Sequence, residues 1–266
     1  MTPRLVEPEW LDELPADDPA AIRSRRDLRR VNAWMQHSCI IARLLEASFR
    51  ERSPRLIVEV GAGDGSLMLA LARRLAPRWK QVKVLLVDRC HVVSHETVAE
   101  FERLEWPLET VRADIFDWLA KPFDGEADVM MANLFLHHFH PERLKMLLGQ
   151  ASERSGLFLA CEPRRSGVAM AGSRLLGLIG CNAVSRHDAV VSVRAGFTGR
   201  ELSGAWPKDN GWDVQEGPAG LFSHYFLARK TICRFSAPRM MPSLSVQGRP
   251  VRRQRSCSRR PDGLSR

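Results

Sequence analysis

Short apolar runs alternate with stretches of helical periodicity between residues 55 and 230. The runs at residues 56–58, 82–87 and 156–163 have the length and composition of strands buried in a sheet. After the first run, Leu67 and Leu71 lie on one face of a predicted helix. Strands that alternate with helices predict an α/β fold with a mostly parallel sheet. A chain of 266 residues is long enough to form one such domain with additions.

The segment before the first strand, residues 1–54, also has helical periodicity. Asp18 followed by Pro19 is a typical helix start, because the carboxylate caps free N–H groups and proline fits the first turn. Apolar positions continue from Ile22 to Leu45, which predicts one or two helices ahead of the sheet.

Three closely spaced glycines follow the first predicted strand, within residues 59–66. Glycines at this point let the backbone turn sharply and let a ligand lie against it, although a plain tight turn is the alternative. Their spacing is G-x-G-x-G, which is neither the dinucleotide fingerprint nor a P-loop. The flanking carboxylates of Glu59 and Asp64 would repel a pyrophosphate and favour a positively charged ligand. S-adenosylmethionine, a sulfonium nucleoside, has these properties.

At these residues the chain resembles the class I S-adenosylmethionine-dependent methyltransferases, whose first motif is an acidic residue followed by x-G-x-G-x-G. The resemblance covers residues 55–230. It implies a Rossmann-like seven-stranded methyltransferase sheet, mostly parallel with the last strand antiparallel. It also implies a transferase that uses S-adenosyl-L-methionine as its cofactor. The loop residues expected to contact this cofactor are Glu59, Gly61, Ala62, Gly63 and Gly65.

Later motifs of the same family follow in order. Asp88 ends the second predicted strand, 27 residues after Gly61, where the family places the acid that binds both ribose hydroxyls. A helix N-cap is the alternative role for this aspartate. The remaining cofactor contacts implied by the resemblance are Arg89 directly after Asp88, Asp114 and Ile115 at the adenine, and Asn133 in the motif of the fourth strand and the loop after it. For Asp114, a turn or helix cap is the other interpretation.

Two segments outside the shared fold are expected to form the acceptor side. Related small-molecule methyltransferases use N-terminal helices as a lid, so residues 1–54 are assigned to this role, and residues 164–198 are predicted to be a substrate-side insertion after strand five. The residues suggested for lining the lid are Asn32, Trp34 and His37, with core packing favoured for Trp34.

A histidine is the natural general base if the acceptor must lose a proton. His187 is the first candidate, because Arg186 and Asp188 flank it within the insertion, and His138 and His37 follow. Packing and hydrogen bonding are the alternative roles for each of them.

The arrangement of these segments resembles that of bacterial methyltransferases associated with polyketide and phenolic-lipid biosynthesis. This resemblance implies a small-molecule aromatic acceptor, namely a phenol, resorcinol or quinol, and O-methylation as the reaction, with C-methylation left open. A nucleic-acid methyltransferase is an alternative, although Asn133 is not followed by the Pro-Pro-aromatic sequence of exocyclic-amine enzymes and the chain has no Pro-Cys. A catalytically silent cofactor-binding protein is the third possibility.

The chain's charge is concentrated at its carboxyl end. Residues 231–266 contain nine arginines and one acid, so the net charge of +9 leaves only +1 for residues 1–230. The nearly neutral charge of residues 1–230 argues against a basic surface that binds nucleic-acid phosphates. The tail, residues 231–266, is predicted to be disordered and basic. It is either a solvated extension or a contact for nucleic acid or an anionic membrane. The arginines proposed for such contacts are Arg252, Arg253, Arg255, Arg259 and Arg260.

The six cysteines are scattered, with no C-x-x-C pair and no spacing typical of a metal site. Together with the lack of a signal peptide, this pattern predicts a reducing, cytoplasmic location and no bound metal. The apolar stretch at residues 167–180 is interrupted by Arg174 and is too short for a transmembrane segment.

Overall fold

A computed structural model describes residues 3–90, 92–122, 125–208 and 211–231 of the chain. Within these residues, seven strands form one sheet. The strands are β1 (Leu56–Val60), β2 (Lys83–Asp88), β3 (Leu108–Arg112), β4 (Val129–Asn133), β5 (Leu157–Pro163), β6 (Trp212–Ala219) and β7 (Ser223–Lys230). Their order across the sheet is β3-β2-β1-β4-β5-β7-β6. The first five are parallel, and β7 pairs antiparallel with both β5 and β6. The predicted Rossmann-like methyltransferase sheet is therefore confirmed.

Helices cover both faces of this sheet and also precede it. They are α1 (Trp10–Glu13), α2 (Pro19–Trp34), α3 (His37–Ser48), α4 (Ser66–Leu75), α5 (His95–Arg103), α6 (Ile115–Ala120), α7 (Pro141–Arg154), α8 (Gly167–Arg174), α9 (Ala183–Ala195) and α10 (Glu201–Ala205). Two 3₁₀ turns span Leu136–His138 and Leu175–Ile179. As predicted, α2 starts after Asp18, whose carboxylate accepts hydrogen bonds from the N–H groups of Ala20 and Ala21.

Each face of the sheet buries its own hydrophobic cluster. Alternate residues of β1 show the division, since Ile57 packs with α3 and α4, whereas Val58 packs with α6 and α7. Both side chains are almost completely buried, as expected for a parallel sheet that is covered on both sides. Packing on both faces holds the strands, and therefore the loops at their carboxyl ends, in place.

The N-terminal segment and residues 164–198 lie together. The latter contain α8 and α9, and α9 packs against both α1 and α2. The expectation that Trp34 packs in the core is wrong, because this residue ends α2 and is 63% exposed, with its ring 5.0 Å from that of Phe222. The chain reverses directly after it through Gln36, which has a left-handed backbone conformation.

Among the described residues, no helix is both long and apolar enough to cross a bilayer. The four cysteines of the described part, at positions 39, 90, 161 and 181, are free thiols. The predictions for the basic tail concern residues 231–266, and all of these after residue 231, including Arg252, Arg253, Arg255, Arg259 and Arg260, lie outside the described residues.

Candidate functional site

The glycine loop connects β1 to α4 at the carboxyl edge of the sheet. Gly61, Gly63 and Gly65 all have left-handed backbone conformations, with φ of +67°, +55° and +72°. A Cβ atom on Gly61 would lie 2.2 Å from the ring of Phe135, whereas one on Gly63 would meet nothing within 4 Å. The loop is thus tightly packed at Gly61 and open at Gly63, which leaves backbone exposed to a ligand.

Asp88 joins the end of β2 to this loop. Its carboxylate accepts hydrogen bonds from the N–H of Gly63 at 2.8 Å and from the N–H of Cys90 at 2.7 Å. Asp88 does not cap a helix, since the next helix, α5, is capped by Ser94. These contacts place the acid beside the glycine loop.

Asp114 and Ile115 follow β3 at the same edge. The Asp114 carboxylate accepts a hydrogen bond from the N–H of Phe116 at 2.8 Å and caps α6, while Ile115 is buried. The structure therefore contains the helix cap that was the alternative role of Asp114. This cap uses only Oδ1 of the carboxylate.

Two buried oxygens lie at the ends of the neighbouring strands β1 and β4. Glu59 Oε2 and Asn133 Oδ1 are both buried without a hydrogen bond of normal geometry to a described residue. Burial raises the pKa of Glu59 well above its usual range, and the nearby charges of Asp64 and Asp88 raise it further. Because unpaired buried acceptors are costly, the Glu59 oxygen fits a ligand that brings a cationic donor, whereas the Asn133 side chain also lies beside His37, whose pKa it acts to raise.

An open cleft of about 380 Å³ borders the glycine loop, a volume typical of small-ligand sites. Asp64 and Val92 line it from the sheet side, and the N-terminal segment lines the other side. Arg29 of α2 closes part of the cleft through an ion pair with Asp64, with a nitrogen-to-oxygen distance of 3.2 Å. Arg89, which is also predicted to contact the cofactor, has its guanidinium 3.9 Å from the carboxylate of Asp12 in α1.

A buried carboxylate organises the 3₁₀ turn after β4. Glu162 of β5 accepts hydrogen bonds from the backbone N–H groups of Phe135 and Leu136, at 3.0 and 2.9 Å, and its Oε2 lies 2.8 Å from His137 Nδ1. Burial alone would raise the pKa of Glu162, but the hydrogen bond and charge of His137 and these N–H groups lower it. Glu162 therefore fixes the orientation of the His137 ring.

The opposite nitrogen of His137 faces the N-terminal segment. His137 Nε2 lies 3.2 Å from Glu9 Oε1. Burial opposes the charge on this imidazole, but the two carboxylates raise its pKa to about 9. Burial also acts against the Glu9 carboxylate, whose pKa nonetheless falls to about 2 because of His137, His138 and Ser192. These contacts attach the N-terminal segment to the turn.

The three histidines considered as bases have different polar partners. His187 Nδ1 lies 2.9 Å from Asp188 Oδ1, and its ring stacks on that of Trp10 with centroids 3.8 Å apart. His138 Nδ1 lies 3.3 Å from Asp12 Oδ2. His37 is fully buried with its Nε2 2.7 Å from the Ser223 hydroxyl, and burial lowers its pKa to about 4 despite the opposing charge of Glu162.

A small cavity of about 50 Å³ lies between the N-terminal segment, α2 and α9. Asp188 contributes to its wall, and its carboxylate oxygens accept hydrogen bonds from the N–H groups of Trp10 and Leu11 at 2.9 and 3.0 Å. Its apolar lining residues include Leu11, Leu28, Val31 and Leu176, and its polar ones include Glu9, Ser24, Ser185, Asp188 and Ser192.

Glu9, His137 and Glu162 form a connected group that the sequence did not reveal. The two histidines and the Glu-Pro end of strand five were visible as motifs, but nothing local links them to Glu9. The partners are separated by 128 and 25 positions along the chain. Only the fold brings them together.

Residues 57–154 match the protein family described as "Methyltransferase domain". This range contains the glycine loop, Asp88, Asp114 and Asn133. No curated protein matches the chain significantly.

Several solved structures share the fold. The plantazolicin methyltransferase BpumL in complex with SAH is 12% identical, covers 80% of this chain and 91% of its own, and has a TM-score of 0.59. The same enzyme with a monoazolic desmethylPZN analog and SAH gives 14% identity, the same coverage and a TM-score of 0.59. An O-methyltransferase family protein from Burkholderia thailandensis is 18% identical, with coverage of 81% and 61% and a TM-score of 0.53.

The sheet topology and the glycine loop at its carboxyl edge define an enzyme of the Rossmann-like methyltransferase class. Residues 57–154 match a methyltransferase domain, and the enzyme is an S-adenosylmethionine-dependent methyltransferase.

Proposed function

We propose that the enzyme methylates a hydroxyl oxygen of a small aromatic acceptor, such as a phenol, resorcinol or quinol. The observation that carries this proposal is the His187–Asp188 pair: the His187 ring stacks on that of Trp10, and Asp188 contributes to the wall of the small cavity. The net charge of residues 1–230 is only +1, which supports a small acceptor over a nucleic acid. The four free thiols of the described residues support a cytoplasmic location.

Residues of the carboxyl edge are assigned to the cofactor. When bound, S-adenosylmethionine supplies an electrophilic methyl carbon on its sulfonium. The buried oxygens of Glu59 and Asn133 are proposed to accept hydrogen bonds from its amino group, and Asp88 to accept those of the ribose. The other proposed cofactor contacts are Gly61, Ala62, Gly63, Gly65, Arg89, Asp114 and Ile115.

The acceptor site is assigned to the N-terminal lid, residues 1–54, and the insertion, residues 164–198. Both segments line the small cavity, which at about 50 Å³ would have to enlarge before an aromatic acceptor could enter. Because α1 and α2 pack on α9, a movement of the lid would open the cavity. We assign residues 55–230 to the methyltransferase domain that carries these additions.

His187 is the proposed general base. Its Nδ1 donates a hydrogen bond to Asp188, so Nε2 keeps a free electron pair that can take the phenolic proton. The half-buried His138 is the second candidate, and the buried His37, already bonded to Ser223, is the third.

The direct test incubates the purified enzyme with S-adenosylmethionine and a panel of phenols, resorcinols and quinols. We expect a methyl ether, identified by mass spectrometry and NMR, together with release of the demethylated cofactor. His187→Gln should lower kcat by about 100-fold, in the range of general-base catalysis, without changing cofactor affinity. Transfer of the methyl group to carbon, or to nucleic acid alone, would contradict the proposal.

A further inference from the structure

We infer that Glu9, His137 and His138 form a binding site for one divalent transition-metal ion, such as Zn²⁺. One carboxylate oxygen and one imidazole nitrogen from each histidine lie within 4.8 Å of one another. Two imidazoles with one carboxylate are a ligand set suited to zinc and its first-row neighbours.

The separations are those that a shared ion would require. His137 Nε2 and Glu9 Oε1 are 3.2 Å apart. Two ligand atoms that each lie about 2.0 Å from a tetrahedral zinc ion are about 3.3 Å apart. The rings of His137 and His138 lie beside each other with centroids 4.2 Å apart, so both can approach one ion from the same turn.

A supporting shell of hydrogen bonds is already in place. The Glu162 carboxylate, which is completely buried, holds His137 Nδ1 at 2.8 Å and thereby directs Nε2 towards Glu9. This carboxylate–histidine pair is the arrangement that orients most histidine ligands of metals. The Ser192 hydroxyl donates to Glu9 Oε1, and Asp12 Oδ2 lies 3.3 Å from His138 Nδ1.

Metal entry must replace the proton shared between His137 Nε2 and Glu9. The electron pair of Nε2 then binds the ion, and the proton goes to the solvent. Since Glu9 belongs to the N-terminal segment and both histidines to the turn after β4, the ion would cross-link these two parts of the chain. Metal binding is therefore expected to stabilise the N-terminal segment.

Isothermal titration calorimetry of the full chain with Zn²⁺ tests the site, with Co²⁺ absorption as a second readout. We expect one saturable site per chain and a spectrum of nitrogen and oxygen ligands. Glu9→Gln and His138→Gln should each weaken the affinity by about 100-fold or more. His140→Gln is the matched control, because His140 is exposed at the start of α7 and lies outside the cluster.

Hydrogen exchange provides a readout that does not depend on catalysis. Zn²⁺ should increase protection of residues 9–13 in the wild type and not in Glu9→Gln, provided that circular dichroism shows both proteins folded. Absence of saturable binding, equal affinity in the wild type and both cluster variants, or a sulfur-to-cobalt absorption band from cysteine ligands would overturn the inference. None of these outcomes depends on the identity of the acceptor.

Discussion

Glu59 shows how burial changes the pKa of a single side chain. The residue is 2% exposed, and burial together with two neighbouring carboxylates raises its pKa well above the usual range. A cation bound next to it would favour the charged form. Glu59 is thus suited to a positively charged ligand.

Gly61 is predicted to tolerate no side chain because of Phe135. Gly61→Ala places a Cβ 2.2 Å from the Phe135 ring at a φ of +67°, whereas Gly63→Ala meets only the backbone strain. We expect Gly61→Ala to lower the free energy of unfolding by about 1–3 kcal/mol more than Gly63→Ala, measured in urea. Replacing Phe135 with Ala should remove this excess. If the two single variants are equally stable, the close packing at Gly61 is not a constraint.

His37 is predicted to make the protein less stable in mild acid. Its pKa is about 4 in the folded state and 6.5 as the unperturbed value, so between these pH values the unfolded chain binds a proton that the folded one does not. Stability should fall by up to about 3 kcal/mol as the pH drops from 6.5 to 4. Urea unfolding of the wild type and His37→Gln at several pH values measures this contribution. Parallel curves for the two proteins would disprove it.

At the scale of elements, a buried carboxylate joins α2 to α9. Asp27 accepts hydrogen bonds from the N–H of Asn182 at 2.9 Å and from the Ser185 hydroxyl at 3.1 Å. Asn182 in turn caps α9 and donates through its amide to Ala20 in the first turn of α2. This network, rather than apolar packing alone, holds the N-terminal segment on the insertion.

Asp27→Ala should therefore loosen the N-terminal segment. Loss of hydrogen bonds to a buried charged acceptor predicts a decrease of about 2 kcal/mol in the free energy of unfolding. Faster hydrogen exchange in α2 and the start of α9 should accompany it. Asp17→Ala, which removes a nearby acid outside the network, is the control. Unchanged exchange in Asp27→Ala would show that packing is sufficient.

At the scale of the whole molecule, locally encoded features were predictable and long-range ones were not. The strands, the glycine loop and the position of Asp88 follow from apolar runs and spacings within about 30 residues. The exposure of Trp34 depends on the reversal at Gln36, which has no clear sequence signal. The contacts of His137 with Glu9 and Glu162 join distant parts of the chain, so no local pattern indicates them.

The carboxyl-terminal tail gives a prediction for the complete chain. Residues 231–266 hold nine of the arginines, whereas residues 1–230 have a net charge of +1. A chain that ends at residue 231 should keep its affinity for S-adenosylhomocysteine and its turnover, and lose any salt-dependent binding to nucleic acid. Filter binding at several salt concentrations measures the second property. Nucleic-acid affinity that survives the truncation would assign it to the folded domain.

Calorimetric titration with S-adenosylhomocysteine shows whether the glycine loop, together with Glu59 and Asp88, binds the cofactor. We expect one molecule bound per folded chain, with affinity reduced by about 10- to 100-fold in Asp88→Ala, since the charged acceptor of the ribose hydroxyls is lost. Asp213→Ala, a change in the outer strand β6, should have no effect. Folded wild-type protein that takes up no cofactor, or unchanged affinity in Asp88→Ala, would contradict this assignment of the cofactor site.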